Sequence, residues 1–180
     1  NHACKTDYIA IPVVSSQNRR YIPMELLHKD VIAGNKLFMM PEGSLYYFGI
    51  LTSNVHMAWM RTVTGRLKSD YSYSNTIVYN NFPWPLSTNQ QRLKIEQTAQ
   101  SILDARSLYP DNSLADLYNP VLMPLELRKA HIANDKAVMA AYGFSLKMSE
   151  EDCVAELMKL YQKKLQEEKK MKSDKKSKTK

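Results

Sequence analysis

The sequence holds few of the residues that build metal sites and disulfide frameworks. Its two cysteines, Cys4 and Cys153, are far apart, and only four histidines accompany them. This spacing provides neither a metal-ligand cluster nor a set of disulfides, and it favours a reducing, cytoplasmic setting. No apolar run reaches the roughly 18 residues of a membrane span, and the amino terminus lacks the plan of a signal peptide. Because the chain starts at Asn1 rather than methionine, we expect it to be a piece of a longer protein.

Glycine is equally scarce, which bears on cofactor binding. The five glycines never stand two apart, whereas a protein that binds S-adenosylmethionine needs a glycine-rich turn where the backbone approaches the cofactor. We therefore expect no cofactor site in this chain.

Two short motifs are superficially similar to catalytic ones. Asn81-Phe82-Pro83-Trp84 has the wrong order for the Asn-Pro-Pro-aromatic turn that holds a flipped adenine. Phe82 and Trp84 are instead predicted to hold the two halves of the chain together by packing their rings between them. Asp111 and Glu126 could suggest a metal-dependent nuclease, but both lie in helical sequence, where helix capping explains them. We assign no catalytic or metal-binding residue.

The positive charge is concentrated at one end. Of the net charge of +7, the segment 163–180 supplies +6, since it holds nine lysines against three acids. Residues 1–86 carry +3 and residues 87–162 carry −2, so the first half is the better candidate to meet phosphate. The tail at 163–180 is predicted to be disordered and solvated, with added nonspecific DNA affinity as the alternative.

The chain divides near Pro85 into two patterns. Before it, short apolar runs at 8–14, 21–27 and 36–40 predict strands, and Pro12 and Pro23 keep two of them from central positions. Ser44 then predicts the N-cap of one helix that ends at Gly65, and the alternation from 67 to 74 predicts a further strand. After Pro85, capping residues and 3.6-residue periodicity predict a series of helices up to residue 162.

Lys68 and Asp70 are the residues best suited to read DNA bases. Two apart on a predicted strand, they face one side about 6 to 7 Å apart. Lysine donates to the O6 and N7 atoms of guanine, and aspartate accepts from the N4 amine of cytosine, so the pair could read one G·C pair. The alternative is an ordinary surface pair of charges, worth less than about 1 kcal/mol.

Two long segments resemble a known family. They are GILTSNVHMAWMRTVTGRLKSDYSYSNTIVYNNFPWP and SILDARSLYPDNSLADLYNPVLMPLELRKAHIANDKAVMAAYGF. Together they are similar to the target-recognition domain and helical C-terminal segment of MmeI-like enzymes, single-chain type II restriction-modification proteins that join a nuclease to an N6-adenine DNA methyltransferase. The resemblance runs from about Tyr8 to Tyr161 and omits the lysine-rich tail. The nuclease and methyltransferase motifs of the family match nothing in this chain, so S-adenosylmethionine and Mg²⁺ are expected only in the parent protein.

The resemblance also implies roles for individual residues. It places base readout on the strand after the GRL turn and, secondarily, on an earlier loop, with arginines positioning the domain on the phosphates. The readout residues are Lys68, Asp70, Ser72, Asn35 and Lys36, and the backbone contacts are Arg61, Arg66, Arg19 and Arg20.

The sequence thus predicts an α+β chain with three parts. Residues 1–86 form a small mixed recognition domain of short strands and one long helix, residues 87–162 a helical bundle, and 163–180 a tail. Its partners are double-stranded DNA and the methyltransferase and nuclease domains of the same parent chain, with no membrane. Two rivals remain open, namely a helical module that docks a partner subunit without reading bases, and an enzyme with an unrecognised active site.

Overall fold

A computed structural model of the protein describes residues 5–177, with side chains described up to residue 171. This part of the chain forms six strands, a single π-helical turn and six α-helices. The strands are β1 (Tyr8–Pro12), β2 (Val14–Ser15), β3 (Glu25–Leu27), β4 (Leu37–Pro41), β5 (Gly65–Leu67) and β6 (Asp70–Ser72). The helices are α1 (Leu45–Leu51), α2 (Asn54–Val63), the π-helical turn (Asn75–Tyr79), α3 (Asn89–Ser107), α4 (Leu114–Leu117), α5 (Leu125–Tyr142) and α6 (Glu150–Ser177).

The strands form two small antiparallel sheets joined at one residue. The first has the order β3-β1-β4 and the second the order β2-β6-β5. Val13 lies between β1 and β2, where its amide donates to the Lys36 carbonyl at 3.1 Å and its carbonyl accepts from the Tyr73 amide at 2.8 Å. Because both backbone groups of Val13 are used in this way, the ends of β4 and β6 are fixed next to each other.

Two predictions about strands were wrong. β1 is central in its sheet, although it ends in Pro12. Its pairing with β3 stops at Ala10, so the missing N–H of Pro12 interrupts no pairing on that side. The predicted strand from 67 to 74 is a tight hairpin in which Leu67 pairs with Asp70.

The helix predicted to run from Ser44 to Gly65 is two helices. The Thr52 hydroxyl donates to the Phe48 carbonyl at 2.8 Å, and the Ser53 hydroxyl donates to the Ile50 carbonyl at 2.6 Å. The Phe48 carbonyl also accepts the helical bond from the Thr52 amide, whereas the Ile50 carbonyl accepts from the Ser53 amide and hydroxyl. The Asn54 amide, which would continue the helix by donating to the Ile50 carbonyl, donates to Asp135 instead, and the helix breaks there. Ser53 then caps α2 by accepting from the His56 amide.

The helices of the second half begin at the capping residues that the sequence contains. Thr88 and Gln91 form a capping box at α3, and Ser113 and Asp116 form another at α4. Helix α5 ends at Gly143, whose φ of 71° is left-handed.

One hydrophobic core spans both halves of the chain. Helix α1 packs against α3 and α5 at Gly49, where an added Cβ would lie 2.7 Å from Ile95 Cγ2. The buried Asn134 side chain of α5 donates to the Gly49 carbonyl at 2.7 Å and accepts from the Thr98 hydroxyl at 3.0 Å. Strands and long helices therefore share a single interior, and the predicted α+β class is confirmed.

The tail predicted to be disordered is helical as far as the structure describes it. Helix α6 continues through 163 to Ser177, and residues 178–180 lie outside the described part. Its sequence there is rich in Lys, with Gln166, Glu167 and Glu168 and without Gly or Pro. These residues propagate a helix that the packed turn at Leu157 has already begun. None of the described helices is long and apolar enough to cross a membrane.

Candidate nucleic-acid interface

The β5–β6 hairpin presents Lys68 at an exposed tip. Lys68 and Ser69 form its two-residue loop, and Lys68 has a φ of 58°, as the first central residue of a tight hairpin turn requires. Arg66 folds back onto the hairpin, with its guanidinium 4.1 Å from the Tyr71 ring centre and 3.0 Å from the Ser69 carbonyl. Lys68 and Asp70 are therefore held at a turn rather than side by side on a flat strand.

Asp70 and Ser72 connect the hairpin to a neighbouring loop. One carboxylate oxygen of Asp70 accepts from the Gln17 amide at 3.3 Å, and Ser72 pairs with Val14 of β2. The loop at 16–20, which holds Arg19 and Arg20, therefore lies against the hairpin.

The second predicted readout loop lies close by in the fold. Asn35 and Lys36 are exposed in the turn before β4, and Lys36 contacts Val13 through its backbone. Since Val13 also binds Tyr73, directly after Ser72, the structure brings the backbones that carry Lys36 and Ser72 to one edge.

The Arg61 side chain is bonded to other residues of the protein. Its guanidinium contacts both carboxylate oxygens of Glu150 on α6, at 2.9 and 3.1 Å, and donates to the Arg20 carbonyl at 2.7 Å. The Arg61 side chain is only 20% exposed. It holds the end of the 16–20 loop against α6, whereas Arg20 remains exposed over the Tyr21 ring at 5.5 Å.

A buried polar cluster anchors the same loop to helix α5. The Tyr21 hydroxyl donates to Asp135 at 2.6 Å, and the Asn54 amide donates to the other oxygen at 2.8 Å. Tyr21 also stacks on His131 at a ring separation of 4.1 Å. Burial raises the pKa of Asp135, against the lowering effect of the Tyr21 and Asn54 hydrogen bonds.

A second buried group extends this cluster. Arg106, only 7% exposed, donates to the Tyr118 hydroxyl at 3.0 Å and to the Met24 carbonyl at 2.9 Å. Because arginine can only donate, the Tyr118 hydroxyl is left to donate to Nε2 of His131, 2.7 Å away. The strands are thereby fixed to α3 and α5 through buried hydrogen bonds.

A large cavity lies elsewhere. It measures about 690 Å³ and is bordered by β4, the π-helical turn and the start of α3, with Tyr47, Tyr79, Trp84 and Arg92 among its walls. None of the predicted readout or backbone residues lines it.

Comparisons with known proteins match the chain along most of its length. Residues 1–86 match the MmeI target recognition domain, and residues 87–168 match the MmeI C-terminal domain. A solved structure of the type IIL restriction-modification enzyme MmeI in complex with DNA superposes with a TM-score of 0.86 at 46% sequence identity. It covers 90% of this chain and 22% of the MmeI chain. The chain belongs to the MmeI family.

The MmeI family assignment concerns one part of longer proteins. DNA methyltransferase A of Bacillus subtilis (strain 168) is 43% identical over 158 residues, which are 87% of this chain but 18% of that protein. The chain thus spans about a fifth of the length of the relatives it matches. It carries the recognition and C-terminal regions of a restriction-modification family, and the two domain matches meet between Leu86 and Ser87.

Sequence reasoning missed several residues of this MmeI-family surface. Gln17, which holds Asp70, and Asn119 and Arg128 of the second half carry no motif of their own. Gln17 meets Asp70 only through the fold, and Asn119 and Arg128 likewise come close to the 16–20 loop only there, where they line cavities together with loop residues. The sequence shows Glu150 as an acidic residue, but it lies 89 positions from its partner Arg61. No local pattern connects the two.

Proposed function

We propose that this chain reads DNA sequence for an adenine-N6 methyltransferase of the MmeI family. The observation that carries the proposal is the exposed hairpin tip at Lys68, set beside a loop with two arginines. The exposed Asn35 and Lys36 turn meets the base of the same hairpin through Val13 and Tyr73. Exposed side chains that can bond to bases thus lie on and around one hairpin together with arginines that can bind phosphate, and sequence-specific DNA binding needs both kinds of contact. The neighbouring MmeI structure, a complex with DNA, supports the same partner.

Within this proposal Lys68 donates to guanine and Asp70 accepts from cytosine. The Gln17 amide occupies one carboxylate oxygen of Asp70, but an ionised carboxylate offers about four acceptor sites. Its second oxygen therefore remains able to accept from a base amine. Ser72, Asn35 and Lys36 contribute at neighbouring positions.

The remaining activities are proposed for the whole protein. S-adenosylmethionine supplies the methyl group, and an endonuclease domain uses Mg²⁺, both outside this chain. Arg19, Arg20 and Arg66 are proposed to meet phosphates, and Arg61 to act by holding Arg20. Acting on chromosomal DNA places the protein in the bacterial cytoplasm.

A charge exchange on the hairpin tests base readout. Lys68→Glu combined with Asp70→Arg reverses donor and acceptor, so we expect one position of the methylated motif to change from G to C. The measurement is a genome-wide map of methylated adenines after the complete gene is expressed in a host that lacks related enzymes.

The matched control exchanges another exposed pair of the same half, Lys29→Glu with Asp30→Arg. We expect this variant to methylate the original motif. If the hairpin variant also methylates the original motif, Lys68 and Asp70 are ordinary surface charges. That result would favour the alternative, a module that docks a partner subunit without reading bases.

A further inference from the structure

We infer that the C-terminal region supplies part of a DNA phosphate-binding cleft, with Arg128 of α5 acting together with Arg19 and Arg20. The inference rests on the proposed function and extends it, because no residue of the second half was assigned a DNA contact. It locates the contact between the 16–20 loop and the segment that leads into α5.

The cleft consists of two adjoining cavities. One measures about 230 Å³, and its walls include Arg20, Tyr21 and Arg128. The other measures about 670 Å³, and its walls include Arg19 and Asn119. Asn18 and Pro120 line both, and no aspartate or glutamate lines either.

Two of the three arginines of this cleft, Arg19 and Arg128, lack the partners that other arginines of the protein have. Arg61 pairs with Glu150, and Arg106 lies 3.6 Å from Glu25. In the described part of the chain, neither Arg19 nor Arg128 has a side-chain hydrogen bond or ion pair. Cations gathered without a counter-charge attract an anion, and guanidinium groups match phosphate in shape and hydrogen-bonding geometry.

Arg20 has one buried acid near it. Asp135 accepts from the Tyr21 hydroxyl, and the charge of Arg20 lowers the pKa of its carboxyl through space. The Tyr21 hydroxyl and the Asn54 amide already bind both Asp135 oxygens, and no ion pair joins Asp135 to Arg20 among the described contacts. Arg20 also bonds to the Tyr21 hydroxyl, which is uncharged, so the exposed guanidinium keeps its positive charge at the wall of the cleft.

The position of the cleft favours a DNA phosphate over another anion. The loop that forms one wall is bonded to Asp70 of the recognition hairpin through Gln17. A duplex read by the hairpin would pass this loop, and its backbone phosphates would meet the arginines. Asn119 fixes the opposite wall by accepting from the Val121 and Leu122 amides at 2.9 and 3.3 Å, so the cleft is built before binding.

The test measures DNA binding by the complete protein over a range of salt concentrations. One duplex carries the mapped methylation motif, and the other has one base pair of it changed. Arg128→Gln is expected to raise Kd about tenfold on both duplexes and to reduce the slope of log K against log salt by about 0.9. The Kd of Arg128→Lys should lie between the values for the unaltered protein and for Arg128→Gln. The control Lys136→Gln removes one exposed charge of α5 two turns away and should change Kd less than twofold.

Three results would overturn the inference: an unchanged Kd, an equal loss with Lys136→Gln, or a loss restricted to the motif duplex with an unchanged salt slope. Both residues are exposed, so unaltered melting temperatures verify that the variants fold. If the unaltered protein binds the two duplexes with equal Kd, the proposed base readout is refuted. The change in salt slope caused by Arg128→Gln still decides whether Arg128 contacts phosphate.

Discussion

Replacing Phe82 with alanine is expected to lower the free energy of unfolding by about 3 to 5 kcal/mol. Phe82 is fully buried in the segment between the two halves. Its ring lies 4.6 Å from His56 and 6.2 Å from Trp59 of α2, 5.2 Å from Trp84, and 6.4 Å from Tyr142 of α5. Alanine would leave a cavity that neighbours fixed by hydrogen bonds cannot close, since Trp59 donates to the Val78 carbonyl and Tyr142 to the Pro83 carbonyl.

Urea denaturation followed by circular dichroism measures this loss. Leu86→Ala serves as the control because Leu86 belongs to the same segment but is 99% exposed; its effect should stay within about 0.5 kcal/mol. A loss below about 1 kcal/mol for Phe82→Ala would contradict the role of this ring. Separate transitions for the two halves would contradict their shared core.

The helical half was predictable because its signals are local. Thr88, Ser113 and Ser149 each cap a helix through residues three positions away, and the sequence contains both partners. The packing of Phe82 between the two halves was likewise predictable, since a large aromatic residue directly before Pro83 contributes most by burying its ring. Periodicity and capping act within one or two turns, so sequence patterns record them directly.

The recognition edge was less predictable because its geometry depends on distant contacts. Alternation at 67–74 fits either one strand or the two arms of a hairpin, and Lys68 has a left-handed φ that favours glycine elsewhere. The turn is fixed by the pairing of β6 with both β5 and β2. The separation of Arg61 from the exposed arginines depends in the same way on Glu150, far along the chain.

Acidification should destabilise the protein between pH 6.5 and 5 through two buried histidines. Burial lowers the pKa of His56 to about 3, and burial together with the charges of Arg106 and Arg20 lowers that of His131 to about 3. Near pH 7 both are neutral in the folded and unfolded states. As pH falls below about 6.5, only the unfolded chain takes up the protons, so each histidine removes up to about 1.4 kcal/mol of stability per pH unit.

Two carboxyls, the buried Asp135 and the partly exposed Glu25, act in the opposite direction. Burial raises the pKa of Asp135 and of Glu25, so protonation of these groups favours the folded state as the pH falls. The histidine contribution is isolated by comparing variants. In urea denaturation between pH 7 and 5, we expect His56→Gln to reduce the number of protons taken up on unfolding by about one, because glutamine does not titrate. Glutamine can still bond to the Tyr73 hydroxyl, which lies 2.9 Å from Nε2 of His56. The control variant His28→Gln replaces an exposed histidine and should leave the contribution of His56 unchanged. Equal pH slopes for the wild type and His56→Gln would show that His56 titrates alike in both states, and burial would then not hold it neutral in the folded protein.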